Sequence, residues 1–477
     1  MKVAFCSSEV FPFAKTGGLA DVSSDLPQAL ERLGIEPVIF LPYYRCIEEG
    51  KFAIQRINSR LSQTTLGRGI PVYLIENDAF FNRQGLYGDE HGDYSDNLER
   101  FQYFCEQVLE QLKQLRLRAE IIHCHDWHTA LIPVYLKEKL AKDPFLKNMK
   151  SVLTIHNLAY QGIFPKQKFS PLGLRPGLFS MEGFEFFGQI NLLKAGIIFA
   201  DQLTTVSRQY AKEILTKEFG CGLEGVLKNR EKNLMGILNG VDTQYWNPQT
   251  DPYLETKYSK ENFLKGKQEN KKKLQKHFNL SSAEVPLFGF VARLAGQKGV
   301  DLILKSSEEL LKKDIQIVSQ GVGEKKYIEA LKALAYDYPQ RIAIHLKFDE
   351  AIAHQIYAGS DFFLVPSIFE PCGLGQMISM RYGTIPIGFK TGGLVDTISP
   401  FHGPLSQGNG FLFEQYRPEA FLKTIDSALT IYRKKDQWRK LIENAFCSDF
   451  PWEQSAKQYL KIYERLSKMP NQKAKGA

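Results

Sequence analysis

LFGFVARLAGQKGVDLILKSSEELL, residues 287–311, decides the fold. Its first five residues, 287–291, are apolar or small and too few for a helix, so they read as a buried strand. A loop carrying Arg293, Gly296, Lys298 and Gly299 follows, and 300–311 reads as a helix. Strand, glycine loop and helix are the repeating unit of a parallel sheet covered by helices on both faces. The same alternation continues downstream, with strands over 315–319, 342–346, 362–365 and 385–388 and helices over 324–336, 351–358, 376–382 and 418–434. It also runs upstream, with strands over 2–7, 36–41, 70–75, 121–123, 151–155 and 202–206. The helices between these are 21–33, 98–115, 129–139 and 208–216, the last with Ser207 as N-cap. The two series are separated by 242–258 (DTQYWNPQTDPYLETKY), which has two prolines and little periodicity and reads as a hinge or linker. The fold class is therefore α/β, with two doubly wound Rossmann-like domains in tandem. Ligands of such sheets bind at the carboxyl ends of the strands, so two such domains are expected to face a deep cleft.

Composition narrows the function. The chain has 477 residues, 43% of them hydrophobic, and 61 Lys plus Arg against 53 Asp plus Glu give a net charge of +8. That excess suits anionic small ligands and lacks the concentrated basic footprint of a nucleic-acid binder, so no nucleic-acid partner is expected. Seven cysteines, an odd number without a C-x-x-C pair, argue against a disulfide framework and against a cysteine-ligated zinc site. With no signal-peptide core at the N-terminus and no apolar run near the roughly 20 residues that span a bilayer, a cytoplasmic location and no membrane partner are expected. The polar, Lys-rich tail from Met469 to Ala477 is expected to fray. Eight lysines and two glutamates over 257–276 read as a solvated, partly helical face.

Several loops at strand ends carry chemistry. Lys15-Thr-Gly-Gly-Leu-Ala-Asp21 precedes the first helix, and its paired glycines let backbone N–H groups approach a phosphate beside the Lys15 charge. The sequence echoes it at Lys390-Thr-Gly-Gly-Leu-Val-Asp396. His123-Cys-His-Asp-Trp-His128 follows a strand; three ligands on one short turn give poor tetrahedral geometry, so no metal is assigned and Asp126 is the substrate-facing candidate. His156 and Asn157 end another strand, where a histidine is as readily functional as structural. Arg293 and Lys298 are placed to clamp a diphosphate, one as a fork and one as a point charge. Glu370, in Pro366-Ser-Ile-Phe-Glu-Pro-Cys-Gly-Leu-Gly-Gln376, is a carboxylate suited to sugar hydroxyls, with a helix N-terminal cap as the structural alternative. Gly321-Val-Gly323 lacks the third glycine of a dinucleotide fingerprint.

Eight motifs occur in order: KTGGLADV (15–22), HCHDWH (123–128), TIHNLAYQG (154–162), FGQINLLKAGI (187–197), LNGVD (238–242), ARLAGQKGVDL (292–302), SIFEPCGLGQ (367–376) and KTGGLVDT (390–397). Together they resemble the ADP-glucose-dependent bacterial glycogen (starch) synthases of glycosyltransferase family 5, over about residues 1–465. The resemblance implies a GT-B fold with an acceptor-binding catalytic domain over 1–245, a sugar-nucleotide-binding domain over 246–451, and a helix within 452–477 that crosses back to the first domain. It implies transfer of glucose from ADP-glucose to the non-reducing 4-hydroxyl of an α-1,4-glucan (glycogen or a malto-oligosaccharide), with retention, no cofactor and no metal. Carried over by position, Lys15, Gly17 and Gly18 resemble a donor-phosphate loop, with Asp21 beside it. His156, with Asn157, resembles the histidine facing the glucose, and Asp126 and Asn239 resemble residues holding its hydroxyls. Arg293 and Lys298 resemble the diphosphate pair, and Glu370 the acid on the 3-hydroxyl. Cys372, Gly373 and Leu374 line the same sugar, and Thr391 with Gly392 resembles a phosphate contact.

The chain departs from related transferases at Ile378, where many carry a second Glu, and at Phe187, where a smaller or polar residue is usual. Phe348 stands where an aromatic residue would stack on adenine. A UDP-glucose transferase and a non-catalytic glucan-binding scaffold are the alternative readings. A phosphorylase is disfavoured for want of length and of a lysine to carry pyridoxal, and a nicotinamide enzyme for want of a complete G-x-G-x-x-G.

Overall fold

The computed structural model describes residues 1–469, so the tail expected to fray lies, beyond Met469, outside the described residues. The chain forms two compact units, one comprising Met1–Gly240 with the segment from Trp452 onward, the other Val241–Pro451.

The first unit is built on a nine-stranded sheet. In chain order the strands are β1 (Lys2–Cys6), β2 (Glu36–Pro42), β3 (Gln55–Asn58), β4 (Leu61–Leu66), β5 (Ile70–Ile75), β6 (Ile121–His125), β7 (Lys150–Ile155), β8 (Gln202–Thr205) and β9 (Leu234–Gly236). Their spatial order is β9-β8-β7-β6-β1-β2-β5-β4-β3. All neighbours are parallel except β5–β4 and β4–β3. The central strands β1 (KVAFC), β6 (IIHCH) and β7 (KSVLTI) are almost wholly buried, as strands covered on both faces must be. The edge pair β3 and β4 (QRIN and LSQTTL) and the three-residue β9 carry no such run and are absent from the sequence reading.

The helix Gly18–Glu31 starts earlier than the expected 21–33, with Gly17 as its extended N-cap residue. It packs against the helix Trp452–Lys468. That last helix buries Trp452, Ser455, Ala456, Tyr459, Ile462, Tyr463 and Leu466, a single stripe at helical spacing. Trp452 Nε1 donates to Asp25 Oδ2 at 2.9 Å, and Tyr463 OH lies 2.7 Å from His123 Nδ1, so the helix is tied to the face over β1 and β6.

The second unit holds a six-stranded, wholly parallel sheet of β10 (Leu287–Val291), β11 (Gln316–Gln320), β12 (Ile342–His345), β13 (Phe362–Val365), β14 (Ile385–Phe389) and β15 (Phe411–Phe413), in the order β12-β11-β10-β13-β14-β15. The helix expected over 300–311 is two, Val300–Lys305 and Ser307–Leu311, joined at the buried Ser306.

The segment 242–258, expected as a hinge or linker, is packed into the second unit, which begins at Val241. Trp246 stacks on His354 at 4.1 Å, and Asp251 Oδ2 accepts from Tyr382 OH at 2.5 Å and meets His354 Nδ1 at 2.7 Å. The lysine-rich stretch forms the helix Phe263–His277, but it is not a uniformly solvated face. Lys267 is buried and donates to Ala358 O, Tyr382 O and Thr384 Oγ1, and burial pushes its pKa down to about 7. Lys271 pairs with Asp361 at 2.5 Å. The length of a lysine stem lets its head reach carbonyls that a sequence pattern does not reveal.

Candidate active site

In the first unit the loops after β1, β6 and β7 carry the candidate residues. The loop after β1 folds back through Glu9, which is buried. Its carboxylate accepts from Thr16 N at 2.5 Å, Thr16 Oγ1 at 2.6 Å, Gly17 N at 3.1 Å and Tyr87 OH at 2.7 Å. Of the paired-glycine amides expected to approach a phosphate, that of Gly17 is thus engaged, together with that of Thr16, by a carboxylate of the chain itself. Lys15 is half-buried, 2.7 Å from Asp21 Oδ1 and 5.1 Å above the Phe11 ring. Asp21 therefore acts here as the partner of Lys15.

The loop after β6 turns at Asp126, which adopts φ 56°. Its Oδ1 accepts from His156 N at 2.7 Å, so the end of β6 holds the end of β7. Burial pushes the Asp126 carboxyl up to about 7, against the pull of the His156 and Asn157 backbone N–H groups, which favour its ionised form. His156 Nε2 lies 2.9 Å from His125 Nδ1, and the protein around the His156 ring pushes its pKa down to about 3. Asn157 uses its side-chain oxygen locally, accepting from Ala159 N at 3.0 Å. Asn239 is buried, and its Oδ1 has no hydrogen-bond partner among the described residues, an acceptor still to be satisfied.

The three histidines of 123–128 are held by contacts within the protein. His123 bridges Tyr463 OH and Thr154 Oγ1 (2.7 and 2.6 Å) and stacks on His125 at 4.4 Å. His128 stacks on the Tyr87 ring at 4.7 Å. Among the described residues no group of three or more His, Cys, Asp or Glu is placed to hold a metal ion.

In the second unit three loops at the carboxyl ends of β10, β13 and β14 knit together. Lys298 Nζ donates to Glu370 Oε2 at 2.6 Å, and Ser367 Oγ donates to the same oxygen at 2.7 Å. Ile368 N donates to Gln297 O at 2.9 Å, and Gly393 N donates to Glu370 O at 2.9 Å. Glycine is required where these loops touch. Gly299 has φ +76° and a Cβ there would stand 2.0 Å from Pro366 O; Gly392 has φ +44° and a Cβ would stand 2.1 Å from Glu370 O. Gln376 Nε2 donates to Cys372 O and Gly373 O (3.0 and 2.8 Å), fixing the turn. Lys298, Ser367, Glu370, Gly373, Leu374 and Gln376 line one small pocket. Cys372, next to Gly373, and Thr391, the residue before the helix Gly392–Thr397, are buried, and Arg293 is exposed on the loop after β10. The structure thus brings Lys298, Glu370, Gly373 and Leu374 together.

Ile378 is buried in the helix Gly375–Arg381, Phe348 is 75% exposed, and Phe187 is 83% exposed with φ 49°. The sequence reading missed Glu9, Tyr87 and His125. Glu9 had a signal, an acidic residue shortly after the first strand; Tyr87, far along the chain, had none.

The starch synthase catalytic domain model matches residues 2–229, and the glycosyl transferases group 1 model matches residues 271–445. The chain is 43% identical to the glycogen synthase of Syntrophotalea carbinolica over 479 residues, covering 98% of this chain and 99% of that one. It is 44% identical to the glycogen synthase of Geotalea daltonii over 476 residues, covering 97% and 98%. Among solved structures it is similar to the catalytic domain of starch synthase IV from Arabidopsis thaliana bound to ADP and acarbose (TM-score 0.91, 36% identity, 98% of this chain and 99% of that one). It shares its fold with the sucrose-phosphate synthase of Thermosynechococcus elongatus (TM-score 0.63, 17% identity, 98% of each chain).

Proposed function

The chain belongs to the glycogen synthase and starch synthase family of glycosyltransferases, a GT-B fold, and we propose that it extends an α-1,4-glucan by transferring glucose from ADP-glucose to the non-reducing 4-hydroxyl with retention. The observation that carries this reading is the Lys298–Glu370–Ser367 constellation on the three knitted loops of the second unit. Lys298 and Arg293 balance the charge that grows on the β-phosphate as ADP departs, and preorganised cations lower that barrier without reorganisation. Lys298 and Ser367 both bond Glu370 Oε2, which leaves Oε1 to accept from a glucose hydroxyl. Cys372 to Leu374, Thr391 and Gly392 complete the donor-binding loops. On the first unit, His156, Asn157, Asp126 and Asn239 serve glucose and acceptor, with Lys15, Gly17 and Gly18 as the donor-phosphate loop.

A neutral His156 with a pKa near 3 is a poor base for the acceptor hydroxyl. Glu9, Asp126 and Glu370 each already accept hydrogen bonds from protein donors. Both facts favour departure and attack on the same face, the leaving phosphate taking the acceptor proton, over a carboxylate nucleophile. A cytoplasmic location is part of this reading, supported by an odd number of cysteines without a C-x-x-C pair.

Incorporation of labelled glucose into glycogen, or into a malto-oligosaccharide, from ADP-glucose and separately from UDP-glucose, with EDTA present, tests the reading. Incorporation from ADP-glucose, lost in Arg293→Ala and Glu370→Ala, is expected. Faster incorporation from UDP-glucose overturns the donor assignment. Glucan binding without incorporation from either donor overturns the enzyme reading in favour of a scaffold.

A further inference from the structure

We propose that Glu9 is a positioning residue that presets the Lys15–Gly18 loop by filling its backbone amides from within, so that the donor meets Lys15 rather than the amides of Thr16 and Gly17. The inference rests on the reading of that loop as the donor-phosphate loop.

Glu9 is 3% exposed. A carboxylate so buried persists only where donors surround it. Four do. Oε2 takes the consecutive backbone N–H groups of Thr16 and Gly17, and Oε1 takes Thr16 Oγ1 and Tyr87 OH. Tyr87 is itself anchored, its hydroxyl 2.8 Å from Ser8 Oγ. Successive backbone N–H groups turned toward one point form the concavity that binds anions in many proteins. Here that concavity already holds an anion, contributed by the loop's own root. A phosphate brought to the same two amides would meet the Glu9 charge. The cation next to them, Lys15, is in turn set by Asp21 at 2.7 Å and by the Phe11 ring. Glu9 and Asp21 thus fix the two ends of one short loop, Glu9 through its backbone and Asp21 through its side chain. Glu9 need not touch the donor, and its effect passes through Lys15.

The test is amide hydrogen exchange and steady-state kinetics on the full chain carrying Glu9→Gln, with Glu9→Asp, Thr16→Val and Lys15→Ala alongside. The Gln side chain keeps the size of Glu, but one of its two acceptor oxygens becomes a donor. Protection of the Thr16 and Gly17 amides is expected in the unmodified chain and a loss of about tenfold in Glu9→Gln, because both amides sit on Oε2 and exchange a charged acceptor for a neutral one. The KM for ADP-glucose is expected to rise about tenfold on the same basis, with the KM for glycogen unchanged. Glu9→Asp falls between the two, and Thr16→Val, which loses only the hydroxyl bond, moves in the same direction by less. Should Glu9→Gln not fold, Thr16→Val and Glu9→Asp carry the same two readouts. Unchanged exchange in these variants, or donor and glycogen KM rising together, overturns the proposal. If Lys15→Ala leaves the KM for ADP-glucose unchanged, the donor-loop reading fails instead, whatever the exchange data say of Glu9.

Discussion

Lys298 Nζ lies 2.6 Å from Glu370 Oε2, so a cation read as a diphosphate ligand and a carboxylate read as a sugar ligand form one ion pair across 72 residues of chain. The carboxylate is the more buried partner, with 8% of its side chain exposed against 24% for the lysine. Removing either leaves the other without its counter-charge.

Lys298→Ala and Glu370→Ala are each expected to lower kcat/KM for ADP-glucose by about 10²–10³, the loss typical of one preorganised charge-stabilising group. The double variant is expected to lose little beyond the worse single one, because the two act as a unit. Initial rates for the four-member cycle check this. A double variant whose loss is the product of the single losses shows two independent sites.

Gly299→Ala is expected to lower stability by roughly 1–3 kcal/mol, since it combines a left-handed backbone with a forbidden contact. The Cβ would stand 2.0 Å from Pro366 O at φ +76°. Gly17→Ala is the control, because a Cβ there meets nothing within 4 Å. Urea midpoints of the two variants separate conformational necessity from mere motif membership. An equal shift in both sinks the argument.

The buried histidines set the acid side of the stability curve. Burial pushes His123 down to about 3, and His125 and His128 well below the ordinary value of 6.5. Between those values the unfolded chain binds more protons than the folded one. Stability is therefore full above about pH 6.5 and is lost as pH falls toward 3, with a limiting slope of about 1.4 kcal/mol per pH unit for each histidine. Asp126 works the other way: its raised pKa gives stability that is full below about 4 and lost as pH rises through 7. With His156, also pushed down to about 3, four histidines outweigh one carboxyl, so net stability falls on acidification. Urea denaturation from pH 7.5 to 4.5 measures the slope. His123→Gln is expected to reduce it by one histidine's share, and an unchanged slope contradicts the assignment.

Asp126 also predicts the pH dependence of activity. Its carboxylate holds His156 N at 2.7 Å, and its pKa stands at about 7. Protonation weakens that acceptor, so kcat/KM is expected to fall as pH drops below about 7, while His156, neutral throughout, adds no limb of its own. Asp126→Asn is expected to flatten the acid limb at a lower plateau. A limb that persists in Asp126→Asn and vanishes in a His156 variant assigns the proton to the ring.

How much was legible varies element by element. The strands at Ile70–Ile75, Leu287–Val291 and Phe362–Val365 match the sequence reading residue for residue, as does the Ser207 cap, whose side chain accepts from Tyr210 N. Each is a local signal, a short apolar run with punctuating turn residues, or a hydroxyl one turn before a free N–H. Gln55–Asn58, at the sheet edge, and Leu61–Leu66, beside it, are not legible because they are largely polar and owe their structure to the neighbours they pair with. Lys267 was misread for a related reason: its charge marks it as a surface residue, and only the carbonyls of Ala358 and Tyr382 make an interior place for it.

Local sequence patterns alone carry two α/β units, their strand-end loops, and the residue types, Lys15, His156, Arg293, Lys298 and Glu370, that suit sugar-nucleotide chemistry. Periodicity and turn chemistry are short-range properties, fully written in neighbouring residues. The tertiary structure alone decided which donors meet which acceptors. β1 lies between β2 and β6, the loop after it folds back on Glu9, and the last helix brings Tyr463 to His123. Those partnerships depend on sheet order and on burial, which leaves each polar group only the partners within reach, and neither is encoded in any single stretch of chain.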